Sequence, residues 1–311
     1  NTAYASSGIS GLGNEAVTLS DTSLAATVLN TLDDNTTGAV NAATVTTLTG
    51  LGGDINVSYA SSGITGLGDE AVTLSDITID GAVLNTLDGN TTGAVNASAL
   101  TTISGAAADA NTAYASNGIT GLGNEIASIS DVSITATVLN TLDGNTTGEV
   151  NGTNLTTITG AAADVNTAYA SSGITNLGNE TVTISDTSLA ATVLNTLDGN
   201  TTGAVNAATV TTLTGAAAAV ITSYDSSGIT GLGNEKLTLS GSTSVANANT
   251  LAADTTGVIT ATITETDAAT LVTLTETTNA YTITVGDTSV TAANLNTIDG
   301  ATTVAVTATA V

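Results

Sequence analysis

The chain contains no histidine, cysteine, methionine, tryptophan, phenylalanine or proline, and Lys236 is its only basic residue, so arginine is absent too. Without His or Cys there is no imidazole base, no thiolate nucleophile and no soft metal ligand. One cation against 27 acids gives a formal net charge of −26. Nothing remains to grip phosphate, so nucleic acids and nucleotides are poor partners. No apolar run approaches the ~18 residues of a membrane span, so no membrane insertion is expected. Aromatic residues supply only 2% of the chain, which excludes a large core built on rings.

What is present is small and repetitive. Of 311 residues, 41% are hydrophobic, chiefly Ala, Val, Ile and Leu, and Thr fills 68 positions. Small apolar residues suit thin layers repeated many times. An acidic chain invites a disordered reading, but charged residues are only 9% of the total and the apolar ones are regularly spaced. The uncompensated charge predicts self-repulsion that salt or divalent ions relieve, which fits a saline exterior.

The dominant feature is a tandem repeat. NTAYASSGIS starts at Asn1, NVSYASSGIT at Asn56, NTAYASNGIT at Asn111, NTAYASSGIT at Asn166 and ITSYDSSGIT at Ile221. The copies 1–55, 56–110, 111–165 and 166–220 are equal in length with no insertion, and the first and fourth differ at ten positions. Residues 1–235 therefore hold four repeats and the start of a fifth, and residues 236–311 carry divergent versions of the same theme. An unbroken period predicts identical contacts between neighbours, as in a solenoid.

Each repeat reads as two coils of about 27 residues. In the first, AVTL (16–19) is a strand and SLAATVLNTL (23–32) a helix. That helix would carry Leu24, Val28, Leu29 and Leu32 on one face and be capped by Asp21 or Ser23. Asp33-Asp34, or Asp88-Gly89 in the next copy, ends it, and GAVNA (38–42) is extended. In the second, TVTTLT (44–49) is a strand and residues 51–60 are helical, closed near Gly63, Gly118 or Gly173. In copy four, Val220 and Tyr224 share a helical face. One helix and two strands of a single sheet per coil would advance both layers equally, since helices pack about 10 Å apart and strands about 4.8 Å apart. The expected fold is an α/β repeat solenoid, with an all-β solenoid as the alternative.

Six sets of residues are candidate sites. LDGNTTG places Asp88, Asn90, Asp143, Asn145, Asp198 and Asn200 like the first half of a calcium loop. No Glu stands at the twelfth position, and a helix-ending turn also explains them, so they are weak calcium ligands beside diffuse cation binding by the acidic surface. The acidic turns at Asn14-Glu15, Asp69-Glu70, Asn124-Glu125, Asn179-Glu180 and Asn234-Glu235 offer paired carboxylates. Near-identical copies describe a ladder of turns rather than one active site, and no enzyme is expected. Asn35, Asn90, Asn145 and Asn200 begin glycosylation sequons. Asn41, Asn96, Asn151 and Asn206 suggest an amide ladder between units. Tyr4, Tyr59, Tyr114, Tyr169 and Tyr224 suggest one aromatic filler per unit, and Thr-rich faces offer a surface for glycan or ice.

TLSDTSLAATVLNTLDDNTTGAVNA (18–42), ITGAAADVNTAYASSGITNLGNE (158–180) and DTSVTAANLNTIDGATTVAVTA (287–308) resemble the tandem repeats of giant cell-surface proteins of marine cyanobacteria. The resemblance covers essentially the whole chain. It implies secretion, a place outside the cell or at its surface, and an adhesive, motility or structural role such as a rigid spacer or filament stalk. The implied partners are further repeats of a parent chain, other copies of this chain packed end to end or laterally, and surface glycans. It carries over no catalytic or binding residue.

Overall fold

The computed structural model describes residues 1–309, so the last two residues of the divergent region, Ala310 and Val311, lie outside the described residues. Short parallel strands alternate with helices, giving a repetitive α/β architecture. The helices are α1 (Ala26–Asp34), α2 (Gly52–Ala60), α3 (Gly81–Asn90), α4 (Ala107–Ala115), α5 (Ala136–Asn145), α6 (Ala162–Ala170), α7 (Ala191–Asn200), α8 (Ala217–Asp225), α9 (Val245–Asp254), α10 (Ala268–Leu271) and α11 (Ala292–Gly300).

The chain divides into two compact units. The first comprises Asn1–Val132, Val138–Leu155 and Ser172–Asn176, and the second Ser133–Thr137, Thr156–Ser171 and Leu177–Val311. In the first unit, Ser23–Ala25, Thr47–Gly50, Ala71–Leu74, Val95–Asn96 and Ile119–Thr120 form one five-stranded parallel sheet. Its pairing places Leu24 beside Leu48, Leu48 beside Val72, Val72 beside Val95 and Val95 beside Ile119. A second sheet in this unit stacks Ile79, Ile103, Ala127, Val150 and Ile174. The second unit repeats the plan with Ile134, Ile158, Val182, Val205 and Ile229. Each new five-stranded sheet starts one repeat after the last, at Ser23, Thr78, Ser133 and Ser188.

Strands and helices advance along the chain at different intervals, and this sets sheet width. The paired strand positions Leu24, Leu48, Val72, Val95 and Ile119 follow one another more closely than the helix starts at Ala26, Gly52, Gly81 and Ala107. Each step therefore shifts a strand back relative to its helix. Leu24 lies just before α1, while Ile119 lies after α4. The expected pair of strands in one sheet per coil is corrected accordingly. Chain-adjacent strands such as Ile64–Thr65 and Ala71–Leu74 belong to different sheets.

Helices α1 to α9 bury every third residue, whereas α11 buries only Ile298. Ala26, Leu29 and Leu32 face inward in α1, as do Gly81, Leu84 and Leu87 in α3 and Ala191, Leu194 and Leu197 in α7. Burying each such leucine contributes about 2 kcal/mol. The stripe expected over Leu24, Val28, Leu29 and Leu32 is only half right. Ser23–Ala25 pairs as a strand, α1 starts at Ala26, and Val28 is exposed. Neither Asp21 nor Ser23 caps α1, whose N-cap is Ala25 with no side-chain bond. The helix at 51–60 is present as α2, and the divergent region keeps α9 and α11 with a shortened α10 between them.

Candidate functional site

The residues that recur with polar chemistry form a set of bonds between successive segments. The most buried are the glutamates of the acidic turns. Glu70, Glu125, Glu180 and Glu235 are each 0% exposed. Glu125 accepts at one oxygen, Oε2, from the backbone N–H of Gly123 at 2.8 Å and of Asn124 at 3.1 Å, and from the Tyr114 hydroxyl at 3.0 Å. Its main-chain carbonyl accepts from Thr146 Oγ1 at 2.6 Å. The same set recurs at Glu180 with Gly178, Asn179, Tyr169 and Thr201. It recurs again at Glu235 with Gly233, Asn234, Tyr224 and Thr255. In the first turn Glu15 meets Gly13, Asn14 and Tyr4 in the same way but is only half-buried. One residue thus ties a helix, a turn and the loop of the following segment. Oε1 of Glu70, Glu125, Glu180 and Glu235 is enclosed and has no hydrogen-bond partner.

The tyrosine column is more than filler. Each ring is half-buried, and each hydroxyl from Tyr59 to Tyr224 donates to the neighbouring glutamate. Burial, with the nearby carboxylate adding to it, raises the Tyr59, Tyr114, Tyr169 and Tyr224 phenols well above the usual range. Tyr281 is pushed up to about 12, chiefly by burial. A phenol raised in the folded state contributes stability that is complete below the unfolded value of about 10 and is lost as pH rises through the folded value. Alkaline titration is therefore expected to show phenolate absorbance and loss of circular dichroism in one coincident transition above pH ~10. Phenolate forming at Tyr59, Tyr114, Tyr169, Tyr224 or Tyr281 in a folded chain would contradict these contacts.

Asparagines on the helices form the real amide ladder. Asn30 Nδ2 donates to the Asp54 carbonyl at 2.9 Å, Asn56 to Val83 at 3.0 Å, Asn85 to Asp109 at 3.0 Å and Asn111 to Val138 at 3.0 Å. The expected ladder of Asn41, Asn96, Asn151 and Asn206 is corrected. Each closes a turn within its own segment by accepting from the backbone two residues on, and Asn151 also accepts from the Asn176 amide of the next segment at 3.0 Å. The helical asparagines stand in sequence as TVLNTL and NTAY, without any local sign that they reach the next segment.

The six calcium candidates sit in helical last turns, not in a loop. Asp88, Asp143 and Asp198, with Asn90, Asn145 and Asn200, end α3, α5 and α7. Asp88 Oδ2 accepts from Ser116 Oγ and Asp198 Oδ2 from Ser226 Oγ, both at 2.7 Å. Asn90, Asn145 and Asn200 donate to Asn56, Asn111 and Asn166, each at 2.9 Å. Among the described residues no three acidic side chains converge to hold a metal ion. These three sequon asparagines have their amide nitrogens in these same bonds, so an N-linked sugar there would cost an inter-segment contact. The glycines expected to close the second helix stand beyond it. α2 and α4 end at Ala60 and Ala115. A Cβ at Gly63 or Gly118 would lie 2.1 Å from Asp33 or Asp88 Oδ1.

Helix N-termini are capped across segments. The N–H of Gly52 donates to Asp76, that of Ala107 to Asp131 and that of Ala162 to Asp186, each at 2.8 Å. Asp76 is the counterpart of Asp21, so this aspartate serves the helix before it rather than the one after.

Asp254 breaks the pattern. It ends α9 where Asn200 ends α7, and its Oδ2 is enclosed without a partner. Burial first, and Asp225 second, raise its pKa. A carboxyl raised in the folded state weakens stability as pH rises through its folded value. Asp254→Asn is expected to stabilise the chain at neutral pH by about 1 kcal/mol, with the gain shrinking as pH falls and Asp254 itself takes up a proton. Urea melts at two pH values check this, and a gain that grows with acid would contradict it.

No protein-family model, curated protein or solved structure matches the chain.

Proposed function

We propose that the protein is an extracellular structural repeat protein, an α/β solenoid that serves as a rigid spacer or filament-forming segment of a cell-surface assembly. One observation carries this reading. Once per repeat a new parallel sheet begins in the same register, and the same Asn, Glu–Tyr and Asp–Ser bonds recur. Length then grows by repeating one set of contacts. The alphabet, with no His or Cys and one Lys, favours a mechanical role over an enzymatic one. The charge of −26 keeps neighbouring molecules apart and gathers cations diffusely, calcium among them. No helix among the described residues is long and apolar enough to cross a membrane.

The alternative of an ice- or glycan-binding Thr face requires a uniform surface in every copy. The Thr44 column instead runs Ala99, Asn154 and Thr209, a drift that an inert spacer tolerates, while the exposed Thr46, Thr101, Thr156 and Thr211 stay uniform. Cryo-electron microscopy of the purified chain, with and without millimolar Ca²⁺, tests the reading. Thin particles of constant width are expected, and compact isometric particles would sink it.

A further inference from the structure

The closing contact between segments fails once in the second unit, and the failure opens a cleft. In α7, Asp198 receives the Ser226 hydroxyl from the loop behind the next helix. Gly228 allows that loop to close, since a Cβ there would lie 2.2 Å from Asp198 Oδ1. In α9 the matching residue is Ala252, and the helix that follows, α10, has four residues instead of nine. The loop behind α10 carries no Ser-x-Gly turn. A cleft of ≈ 260 Å³ results, lined by Ala252, Thr256, Gly257, Glu276, Thr278 and Asn279 among others.

The lining decides the ligand class. Glu276 and Thr278 are exposed, and neither side chain has a hydrogen bond among the described residues. Asn279, by contrast, is buried and fixed, accepting from Ile259 N–H at 2.8 Å and donating to Tyr281 Oη at 3.0 Å. No basic side chain is among these residues, so phosphorylated, sulfated and acidic ligands are excluded by charge. A single carboxylate is too little for a metal cage, and no three acids converge among the described residues. What remains is a carboxylate that accepts from two hydroxyls, threonine hydroxyls that donate or accept, and the small apolar face of Ala252. The cleft is smaller than the ~300–1,000 Å³ of drug-sized sites.

We propose that this cleft binds one neutral sugar ring of a polysaccharide, with Glu276 accepting from a pair of adjacent ring hydroxyls and Thr256 and Thr278 completing the contacts. This goes beyond the spacer role and does not depend on it, since particle shape and sugar binding are read separately.

The test is saturation-transfer NMR on the full chain with the methyl glycosides of glucose, galactose and mannose. At least one glycoside is expected to receive saturation. Glu276→Gln, which keeps shape and removes charge, is expected to weaken its binding about tenfold. Ala252→Asp, which restores the side chain of the other segments and fills the cleft, is expected to abolish it. Thermal melts of both variants are expected to match the parent, because Glu276 is exposed and Ala252 is partly so. No transfer to any of the three glycosides, or undiminished transfer to Ala252→Asp, would overturn the proposal.

Discussion

Replacing Glu125 by alanine is expected to lower the free energy of unfolding by about 3 kcal/mol or more. The carboxylate is 0% exposed and holds three donors, the Gly123 and Asn124 N–H groups and the Tyr114 hydroxyl. Alanine leaves all three without their acceptor in a dry place, and each buried donor so stranded costs about 1–3 kcal/mol. Tyr114→Phe removes one donor and keeps the ring, so about 1 kcal/mol is expected. Glu125→Gln falls between them. Its oxygen serves the same donors, but its amide group stands where Oε1 has no partner. Urea denaturation of the three variants orders them, and an alanine variant as stable as the parent would refute the glutamate's role as a tie between segments.

Gly93→Ala carries the second large effect. A Cβ on Gly93 would lie 2.3 Å from the Glu70 carbonyl oxygen and 2.5 Å from its carbon. Both atoms are backbone and cannot rotate away, so the segments must separate. The cost is expected near the upper end of overpacking, about 3 kcal/mol. The same approach recurs at Gly148, Gly203 and Gly257 against Glu125, Glu180 and Glu235. Gly89 supplies the contrast. It lies in α3 with no atom within 4 Å of the place a Cβ would take, so Gly89→Ala is expected to stabilise by about 0.5–1 kcal/mol through helix propensity. Thermal melts of the two single variants, moving in opposite directions, check both claims. A neutral Gly93→Ala would mean the two backbones do not approach this closely.

The repeat and the alternation of strand and helix were legible in the sequence because both are periodic. Boundaries were less so. Ser23-Leu24-Ala25 reads as the first turn of a helix by its spacing, yet it pairs with Thr47-Leu48-Thr49 as a strand. Ala, Thr and Leu serve either state, and the partner strand belongs to the next coil. Capping was misassigned for the same reason. Asp76 lies next to the strand that leads into α3, yet it caps α2, a relation that no local motif encodes. The turns at Asn124-Glu125 were visible as a ladder. That the glutamate is wholly buried was not, because an acid beside glycine normally marks an exposed turn. The signal available was the fixed interval of 11 residues between tyrosine and glutamate, as in Tyr114 and Glu125.

The proposed structural role is tested most directly by changing the number of repeats. Deleting residues 56–110 joins Ile55 to Asn111 and leaves the repeat in register. Small-angle scattering then compares the longest dimension of the parent and shortened chains. Removal of two coils, with strands about 4.8 Å apart on one side and helices about 10 Å apart on the other, predicts a loss of about 10–20 Å. A shortened chain with an unchanged long dimension, or one that changes width instead, would contradict a spacer whose length is set by its repeats.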